Sequence, residues 1–260
     1  MTGREVAEVR LVGLDGLPEV RRGDDLAAQL GDAIERSGEG LRAGDVVVVT
    51  HKVVSKAEGK LVRLSEVTPS AFAERVAAQA GKDARQVEVV LRESVRIVRM
   101  DRGVLICETR HGFVCANAGV DASNVAADTV CLLPDDPDRS AAGLREALAG
   151  RFGLTGGAAP GVVITDSWGR PWRNGIVNFA IGVAGLAPLV DYRGYHDVAG
   201  YELGVTVLAA ADELAAASEL VMHKLAARPA ALIRGWEPPI AATVGTGRDL
   251  LIDPRRDLFR

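Results

Sequence analysis

Hydrophobic and polar positions along the chain alternate between patterns typical of strands and patterns typical of helices. Apolar or alternating runs predict strands over residues 6–12, 46–50, 94–100, 104–108 and 112–116. Similar runs later in the chain predict strands over residues 161–166, 203–210 and 230–235. Glycine, proline and small polar residues separate most of these runs and predict turns between them.

Helical periodicity occupies four other segments. Asp24 and Asp25 precede a periodic run that ends at a glycine, which predicts a capped helix over residues 26–38. Thr68 and Pro69 have the residue types of an N-cap and a first helical position, and Gly81 is expected to end that helix. Two further helices are predicted over residues 140–149 and 211–226. The strands are too scattered for a regular βαβ repeat, so the pattern predicts a mixed α+β fold.

Length and composition limit the classes of protein to consider. The chain has 260 residues, of which 48% are hydrophobic and 25% charged, as in globular proteins with one large domain or two small ones. The net charge of −4 argues against a general nucleic-acid binder. A glycine-rich segment at residues 153–161 is the best candidate for an internal boundary.

The cysteines and the apolar segments exclude several other classes. Three cysteines without CxxC spacing argue against a disulfide framework or a structural zinc site. The charged amino terminus does not resemble a signal peptide, and no apolar run is long enough to span a bilayer. We therefore expect a cytoplasmic protein with no nucleic-acid or membrane partner.

Lysine is the unusual cation in this chain, because arginines outnumber lysines 26 to 5. Lys52, Lys56 and Lys60 lie together directly after the valine-rich run at residues 46–49. A lysine supplies a point charge that can follow a moving phosphoryl group, and Ser55 beside Lys56 suits an anion such as phosphate. The alternative for Lys56 is a solvated surface lysine.

Two aspartates are candidates for binding a divalent cation, since Mg²⁺ and Mn²⁺ prefer oxygen ligands. Asp121 stands in a DASN segment, where the alternative is an Asx turn that bonds only its own backbone. Asp166 ends a predicted strand and precedes a loop over residues 169–175 that contains Arg170 and Arg173, where the alternative is a salt bridge. Together with Lys56, these carboxylates have the chemistry that metal-assisted phosphoryl transfer requires.

A second cationic segment is less specific. Arg92, Arg96 and Arg99 could bind an anionic substrate from one side of a strand, or could be solvated charges on an edge strand. The four histidines have no metal-ligand spacing, and no nucleotide-binding P-loop or GxGxxG motif is present. Cys115 is expected to be a small core residue.

These segments together resemble the coenzyme F420-0:L-glutamate ligases, or gamma-glutamyl ligases, of deazaflavin cofactor biosynthesis. The similar stretches follow the order of that family across nearly the whole chain: residues 16–20 (GLPEV), 44–60 (GDVVVVTHKVVSKAEGK), 91–99 (LRESVRIVR), 108–125 (ETRHGFVCANAGVDASNV), 132–138 (LLPDDPD), 166–175 (DSWGRPWRNG), 181–194 and 211–224. The resemblance implies a GTP-dependent ligase that joins the amine of L-glutamate to a carboxylate of the precursor F420-0.

The resemblance also carries expectations about fold and assembly. It implies an α+β fold of two intertwined repeats, with mixed sheets and flanking helices, in a single catalytic domain over residues 1–260. Some members are fused to a nitroreductase-like domain, which we do not expect here. The resemblance further implies a homodimer, Mg²⁺ or Mn²⁺ as the divalent metal, and K⁺ as an activator.

By position, the resemblance assigns roles to individual residues. Asp121 and Asp166 match metal-binding carboxylates, Ser167 matches a further metal position, and Lys56 is expected to act in catalysis with both aspartates. Guanine-nucleotide contacts are implied for Leu17, Pro18, Glu19, Val20, His51, Lys56 and Asn124. A later nucleotide-contacting segment corresponds to Met222, His223, Lys224, Leu225, Ala226, Ala227, Arg228 and Pro229.

Three residues depart from the pattern of the family. Ile176 stands where a glutamine is expected, and His51 where glutamine or serine is common. Lys224 stands where some members have a metal-binding oxygen ligand, which a lysine ammonium cannot replace. The alternatives to the F420-0 ligase are a related ligase with another acceptor, a non-catalytic GTP-binding protein and a metal-dependent phosphohydrolase.

Overall fold

The computed structural model describes residues 7–258, in which α-helices and β-strands are interspersed along the chain. The helices are α1 (Leu26–Arg36), α2 (His51–Ala57), α3 (Ala71–Ala80), α4 (Ala84–Arg92), α5 (Pro137–Arg151) and α6 (Ala210–Met222). The strands are β1 (Arg10–Gly13), β2 (Val46–Thr50), β3 (Leu61–Arg63), β4 (Ser94–Asp101), β5 (Val104–Thr109), β6 (Val114–Ala116), β7 (Thr129–Cys131), β8 (Gly161–Arg170), β9 (Arg173–Ala184), β10 (Val190–Asp191), β11 (Val207–Leu208) and β12 (Ala230–Arg234).

The largest sheet has five strands in the order β1-β12-β2-β8-β9. The β2 and β8 strands run parallel, and the other neighbouring pairs are antiparallel. The interior strands β12 and β2 are almost continuously apolar, as expected for strands that are buried on both faces. This mixed sheet and its flanking helices confirm the predicted α+β class.

Alternate valines of β2 divide the core into two layers. Val47 and Val49 pack with α1 and α5 on one face of the sheet. Val46 and Val48 pack with α6 on the other face. Because successive side chains of a strand point to opposite faces, four consecutive valines are needed to fill both layers. The main body is therefore a sheet between two layers of helices.

A second hydrophobic core lies within residues 61–131, which we call the lobe. The β4, β5 and β6 strands form a three-stranded sheet, and β3 pairs with β7. Buried residues of α3, α4 and β5, with others close to them in the chain, form one apolar cluster separate from the clusters of the main sheet. Three residues separate α2 from the start of the lobe, and Leu133 after the lobe already packs in the core of the main body, so α2 lies where the main body leads into the lobe.

All four predicted helices are present, and most of them begin or end at other residues than predicted. The first is confirmed as α1, where the Asp25 side chain accepts the N–H of Ala28. The N-cap of α3 is Ser70 rather than Thr68, because the Ser70 hydroxyl is the group that accepts the N–H of Ala73; Gly81 ends the helix as predicted. The fourth predicted helix extends to residue 222 rather than 226 as α6.

Other helix predictions were incomplete. The α5 helix begins at Pro137, before the predicted start at residue 140, because Asp136 caps its first turn. The α4 helix was not predicted, although Asp83 caps it and its valines bury one face. No helix or strand was predicted over residues 51–57, which form the short helix α2.

Several strand predictions were wrong in extent. Of residues 203–210, only Val207–Leu208 form a strand, and half of that segment is exposed. The predicted loop over residues 169–175 is instead a β-hairpin, because β8 extends to Arg170 and β9 begins at Arg173. The strand predicted over residues 6–12 starts at Arg10, and its first residue lies outside the described residues.

The remaining expectations concern the surface and the connections. Arg96 and Arg99 are exposed on β4 and pair with Glu108 and Asp101, so the edge-strand alternative is confirmed for them. Cys115 is buried, as expected. Residues 153–160 connect α5 to β8 within the main body, while the division between the hydrophobic cores falls at the ends of the lobe. Within the described residues, no helix is long and apolar enough to cross a bilayer.

Candidate functional site

The predicted site residues come together at one edge of the five-stranded sheet. Gly13 pairs with Ala231 at the end of β1, and the Thr50 N–H donates to the Pro229 carbonyl at 2.9 Å. Thr50 also pairs in parallel register with Thr165, the residue before Asp166. The chain therefore leaves β1 and β2 and enters β12 at the same edge, and β8 passes this edge at Thr165 and Asp166.

The α2 helix follows β2 without a loop and presents three basic side chains at this edge. His51 Nε2 lies 3.4 Å from Asp166 Oδ1, and Lys52 Nζ lies 2.5 Å from Asp121 Oδ2. Lys56 Nζ donates to Glu19 Oε1 at 2.5 Å. Consecutive residues of one helix thus contact the two predicted metal carboxylates, one from the main sheet and one from the lobe.

Asp121 is partly exposed and held by donors from two segments. Its Oδ1 accepts the Ser123 N–H at 2.7 Å, and its Oδ2 accepts from the Ser123 hydroxyl at 2.9 Å as well as from Lys52. Burial raises the pKa of this carboxyl. Hydrogen bonds from Lys52 and Ser123 and the charge of Lys52 together lower the pKa by more than burial raises it, so the pKa lies below its ordinary value. The Asx turn is present, and Asp121 is also one member of an ion pair.

Asp166 is the less exposed of the two carboxylates and accepts three donors. The Ser167 N–H donates to Oδ1 and the Trp168 indole to Oδ2, each at 2.7 Å. Burial raises the pKa of Asp166, but the charge and hydrogen bond of His51 and these N–H donors lower it below its ordinary value. Asp166 is therefore ionised at neutral pH, and His51, only 3% exposed, is turned towards it.

Ser167 makes contacts that conflict with its predicted role as a metal position. Its hydroxyl donates to Asn178 Oδ1 at 2.6 Å and accepts from Lys224 Nζ at 2.5 Å. A metal ion on the same oxygen would face the Lys224 ammonium at close range, and the two positive charges repel. The residues present do not fit a metal ion at Ser167 while Lys224 holds that oxygen.

The predicted nucleotide segments lie along the same edge. Glu19 and Pro18 are exposed, Leu17 is partly buried and Val20 is buried. In the later segment, His223, Lys224, Leu225 and Ala227 are exposed, whereas Met222 is buried; His223 and Ala227 have left-handed backbone, with φ of 55° and 53°. Arg228 of the later segment donates to Asp15, two residues before Leu17, at 2.6 Å. Ala226 and Pro229 are partly buried.

Asn124 lies in the loop that follows Asp121. It is exposed and has left-handed backbone, with φ of 54°. Asparagine tolerates this conformation better than most residues, because its short amide can bond locally. The loop therefore presents Asn124 to solvent directly after Ser123, which contacts Lys52.

The two aspartates fit a divalent cation of the kind that nucleotide enzymes use. Within the described residues, no group of three or more His, Cys, Asp or Glu side chains could hold a metal ion by itself. Mg²⁺ in such enzymes commonly takes one or two carboxylates and completes its coordination with phosphate and water oxygens. Asp121 and Asp166 supply ionised oxygens of this type.

The cysteine thiols near this edge are not nucleophiles at neutral pH, and the Ser55 hydroxyl is not accessible. Burial raises the pKa of Cys131 to about 11 and that of Cys115 to about 12. Both thiols are therefore protonated at neutral pH. Ser55 is fully buried, with its Oγ 3.3 Å from His51 Nδ1, so the expectation that its hydroxyl suits an anion was wrong.

Sequence reasoning missed Lys52 as a site residue. Lys52 and Lys56 are four residues apart and lie on one face of α2, a spacing that would have indicated a shared role if residues 51–57 had been predicted as a helix. Asn178 was also missed, and it links Ser167 to Glu219 through its amide. Its signal was weak, because it stands within a long apolar run.

Comparison with known proteins decides the family. A family model described as F420-0:Gamma-glutamyl ligase matches residues 16–235, well over half of the chain. The chain belongs to the F420-0:gamma-glutamyl ligase family. The matched region contains every candidate site residue, from Leu17 to Pro229.

Curated relatives match over nearly their whole lengths. The chain is 46% identical over 245 residues to a coenzyme F420:L-glutamate ligase of Methanopyrus kandleri, covering 93% of this chain and 94% of the relative. It is 42% identical over 253 residues to the ligase of that name from Methanothermobacter thermautotrophicus, covering 97% and 99%. The Methanocaldococcus jannaschii ligase is 38% identical over 258 residues, covering 99% of each chain. The α+β fold is therefore that of a gamma-glutamyl ligase family member.

Proposed function

We propose that this protein catalyses the GTP-dependent formation of an amide bond between the amine of L-glutamate and a carboxylate of F420-0. The observation that carries the proposal is the pairing of consecutive residues of α2 with two carboxylates, His51 with Asp166 and Lys52 with Asp121. The names of the curated relatives, which are coenzyme F420:L-glutamate ligases, support the choice of acceptor and amino acid.

Activation of a carboxylate explains why a nucleotide is needed. A carboxylate is a poor electrophile because its oxygen is a poor leaving group. Transfer of the γ-phosphoryl group of GTP to the acceptor carboxylate gives an acyl phosphate and GDP. The glutamate amine then attacks the acyl carbon, the amide forms, phosphate leaves, and the amine loses a proton to solvent. No nucleophile from the protein takes part, in agreement with the protonated thiols near the site.

The basic residues at the sheet edge stabilise the charge that moves in this reaction. Lys56 is 7% exposed and pairs with Glu19, whose side chain is 73% exposed. An exposed carboxylate partner is readily exchanged for phosphate, so the Lys56 ammonium is suited to neutralise the migrating phosphoryl group. A divalent cation, Mg²⁺ or Mn²⁺, held by Asp121 and Asp166 supplies further charge neutralisation at the phosphates when bound.

The nucleotide is proposed to lie along the exposed edge between residues 17–20 and 222–229. Exposed backbone in both segments is suited to hydrogen-bond a purine base and ribose, and Asn124 supplies an amide from the lobe. Activation by K⁺, a homodimeric assembly and cytoplasmic location stay predictions of the family resemblance.

A mass-spectrometric assay tests the function directly. Purified protein is incubated with F420-0, L-glutamate, GTP and Mg²⁺ or Mn²⁺, and the masses of the products are measured. We expect a product heavier by one or more glutamyl residues, formed only with GTP. GTP loss that does not depend on glutamate would support a phosphohydrolase instead. A folded protein that binds GTP without turning it over would support a non-catalytic binding protein.

Ile176 supports a second candidate, a related ligase with another acceptor. This side chain is 58% exposed on the β8–β9 hairpin, and its backbone pairs with Gly169 beyond Asp166. An exposed apolar residue there suits an acceptor with an apolar surface. Glutamate-dependent GTP turnover with other carboxylate acceptors, and none with F420-0, would favour this candidate.

A further inference from the structure

The Lys52 ammonium is held by three oxygen atoms of one turn of the lobe. It lies 2.5 Å from Asp121 Oδ2, 2.6 Å from Ser123 Oγ and 2.8 Å from the Ser123 carbonyl oxygen. An ammonium has three N–H donors, so this arrangement uses all of them. The Lys52 side chain is 15% exposed and the Asp121 side chain 43%, so the carboxylate is the more accessible partner of the ion pair.

Lys52 and the Ser123 hydroxyl both donate to Oδ2 of Asp121, so this oxygen accepts two donors. The other oxygen, Oδ1, is bound by the Ser123 N–H at 2.7 Å. A divalent cation on either oxygen of this carboxylate would lie close to the Lys52 ammonium. Both cannot stay close to the carboxylate without strong repulsion between their positive charges.

A second position for the ammonium is within reach. Lys52 and Lys56 lie one helical turn apart on α2, so their side chains start on the same face. A lysine side chain has a flexible four-carbon stem, and its charge can move while the helix stays fixed. An ammonium that leaves Asp121 therefore remains near Lys56, where the phosphate groups are proposed to bind.

We propose that Lys52 is the resident counter-ion of Asp121 in the nucleotide-free protein, and that an arriving divalent cation displaces its ammonium towards the phosphates beside Lys56. The carboxylate is then never left without a positive partner, and a second positive charge is delivered to the phosphates only when the cation is present. This inference rests on the proposed function in one respect, the assignment of Asp121 as a cation ligand.

Binding of Mn²⁺ alone tests the competition. Mn²⁺ is titrated into nucleotide-free wild-type protein, Lys52→Met, Lys60→Met and Asp121→Asn, and the unbound ion is measured by electron paramagnetic resonance. Removing the competing ammonium is expected to tighten Mn²⁺ binding about tenfold in Lys52→Met. Lys60→Met is the matched control, because Lys60 pairs with Asp135 outside this turn, and its affinity should equal that of the wild type.

The variants separate failure of the inference from failure of the proposed function. If Asp121→Asn loses Mn²⁺ binding while Lys52→Met binds no more tightly than the wild type, competition by Lys52 is disproved and the cation ligand stands. If Asp121→Asn binds Mn²⁺ as well as the wild type, Asp121 is not the ligand, and both proposals lose their metal assignment.

A measurement on the wild type does not depend on whether a variant folds. An amine-reactive ester is added with and without Mn²⁺, and the acylation of each lysine is measured by mass spectrometry. Displacement predicts that Mn²⁺ increases the acylation of Lys52 several-fold and leaves Lys60 unchanged. Equal acylation of Lys52 in both samples, at an Mn²⁺ concentration that occupies the site, would overturn the inference.

Discussion

At the scale of single residues, the distribution of lysine is informative. All five lysines donate to an oxygen atom of a distant segment: Lys52 to Asp121, Lys56 to Glu19, Lys60 to Asp135, Lys82 to Asn117 and Lys224 to Ser167. Arginine forms ion pairs elsewhere in the chain; for example, Arg234 donates two hydrogen bonds to the carboxylate of Asp45. A point charge on a flexible stem suits partners that are exchanged during a reaction, whereas the planar fork of arginine suits permanent pairs.

Asp166→Asn should abolish ligation and lower stability moderately. The amide of asparagine has one acceptor oxygen, so one of the N–H donors of Ser167 and Trp168 loses its acceptor, at a cost of about 1–3 kcal/mol. A neutral amide also binds a divalent cation poorly. Ligation rates and thermal unfolding of the same preparation check both effects. A fully active variant would end the assignment of Asp166 to the cation.

Asp121→Asn should reduce the loss of stability in acid. Because the folded-state pKa of Asp121 is lowered, the ionised carboxylate stabilises the fold above its unfolded pKa, and this contribution is lost as pH falls through the folded pKa, below about pH 4. Urea unfolding at several pH values measures the difference. Identical pH dependence in wild type and variant would show that the ion pair with Lys52 contributes nothing to stability.

Lys224→Glu should create a second cation position. The carboxylate replaces an ammonium beside the Ser167 hydroxyl, so an oxygen ligand replaces a repelling charge. Equilibrium dialysis with Mn²⁺ and nucleotide is expected to find one more ion per chain than in the wild type. Lys224→Met removes the charge without adding a ligand and is the control. The same stoichiometry in Lys224→Glu as in Lys224→Met would contradict the prediction.

At the scale of elements, strongly patterned segments were predictable and context-dependent ones were not. The four valines of β2 and the capped, periodic α1 carry their structure in the local sequence. The α4 helix was missed because its nine residues run directly into the arginine-rich strand β4, and it is stabilised by packing in the lobe. Residues 203–210 have high β-propensity, but only two of them find a partner strand.

The same contrast applies to the site. Asp121, Asp166 and Lys56 were identified from residue type and family resemblance, and they do lie at one sheet edge. The Lys52–Asp121 and His51–Asp166 pairs join residues far apart in the chain, so only the fold brings them together. The contact between Lys224 and Ser167 depends on how the chain leaves α6 and could not be read from either residue.

Gly182→Ala should be destabilising by about 1–3 kcal/mol or more, because the strand β9 has no room for a side chain at this position. A Cβ there would lie 2.3 Å from the Pro137 carbonyl oxygen, which is backbone at the start of α5. Gly143→Ala in α5 is the matched control, since nothing lies within 4 Å of its Cβ, and a helical alanine should stabilise by about 0.5–1 kcal/mol. Chemical denaturation measures the free energy of unfolding of both variants. A loss of stability in Gly143→Ala alone would contradict this interpretation.

At the scale of the whole molecule, the site joins two hydrophobic cores. Asp121 comes from the lobe and Asp166 from the main sheet, and α2 contacts both. Local unfolding of the lobe would therefore remove Asp121 from the site while the main sheet stays folded. Activity depends on the stability of the lobe as well as on that of the main body.

Leu105→Ala should separate loss of activity from loss of the main fold. Leu105 is 1% exposed in the lobe core, and truncating such a side chain costs about 2–5 kcal/mol. In urea, ligation by this variant is expected to fail before the far-ultraviolet circular dichroism signal is lost. In Leu214→Ala, which truncates the core between α6 and the main sheet, the two transitions should coincide. Coincident transitions in Leu105→Ala would show that the lobe unfolds only with the rest.

The position of β12 between β1 and β2 has a consequence for synthesis on the ribosome. The β1 and β2 strands emerge early and do not pair with each other, since β12 separates them in the sheet. About 180 residues must follow β2 before β12 is made, which takes roughly 10–35 s at ordinary elongation rates. The edge of β2 that β12 will cover stays open during that time, although β8 can pair earlier with its other edge. Nascent chains are therefore expected to need protection by chaperones until the last sheet strand leaves the exit tunnel.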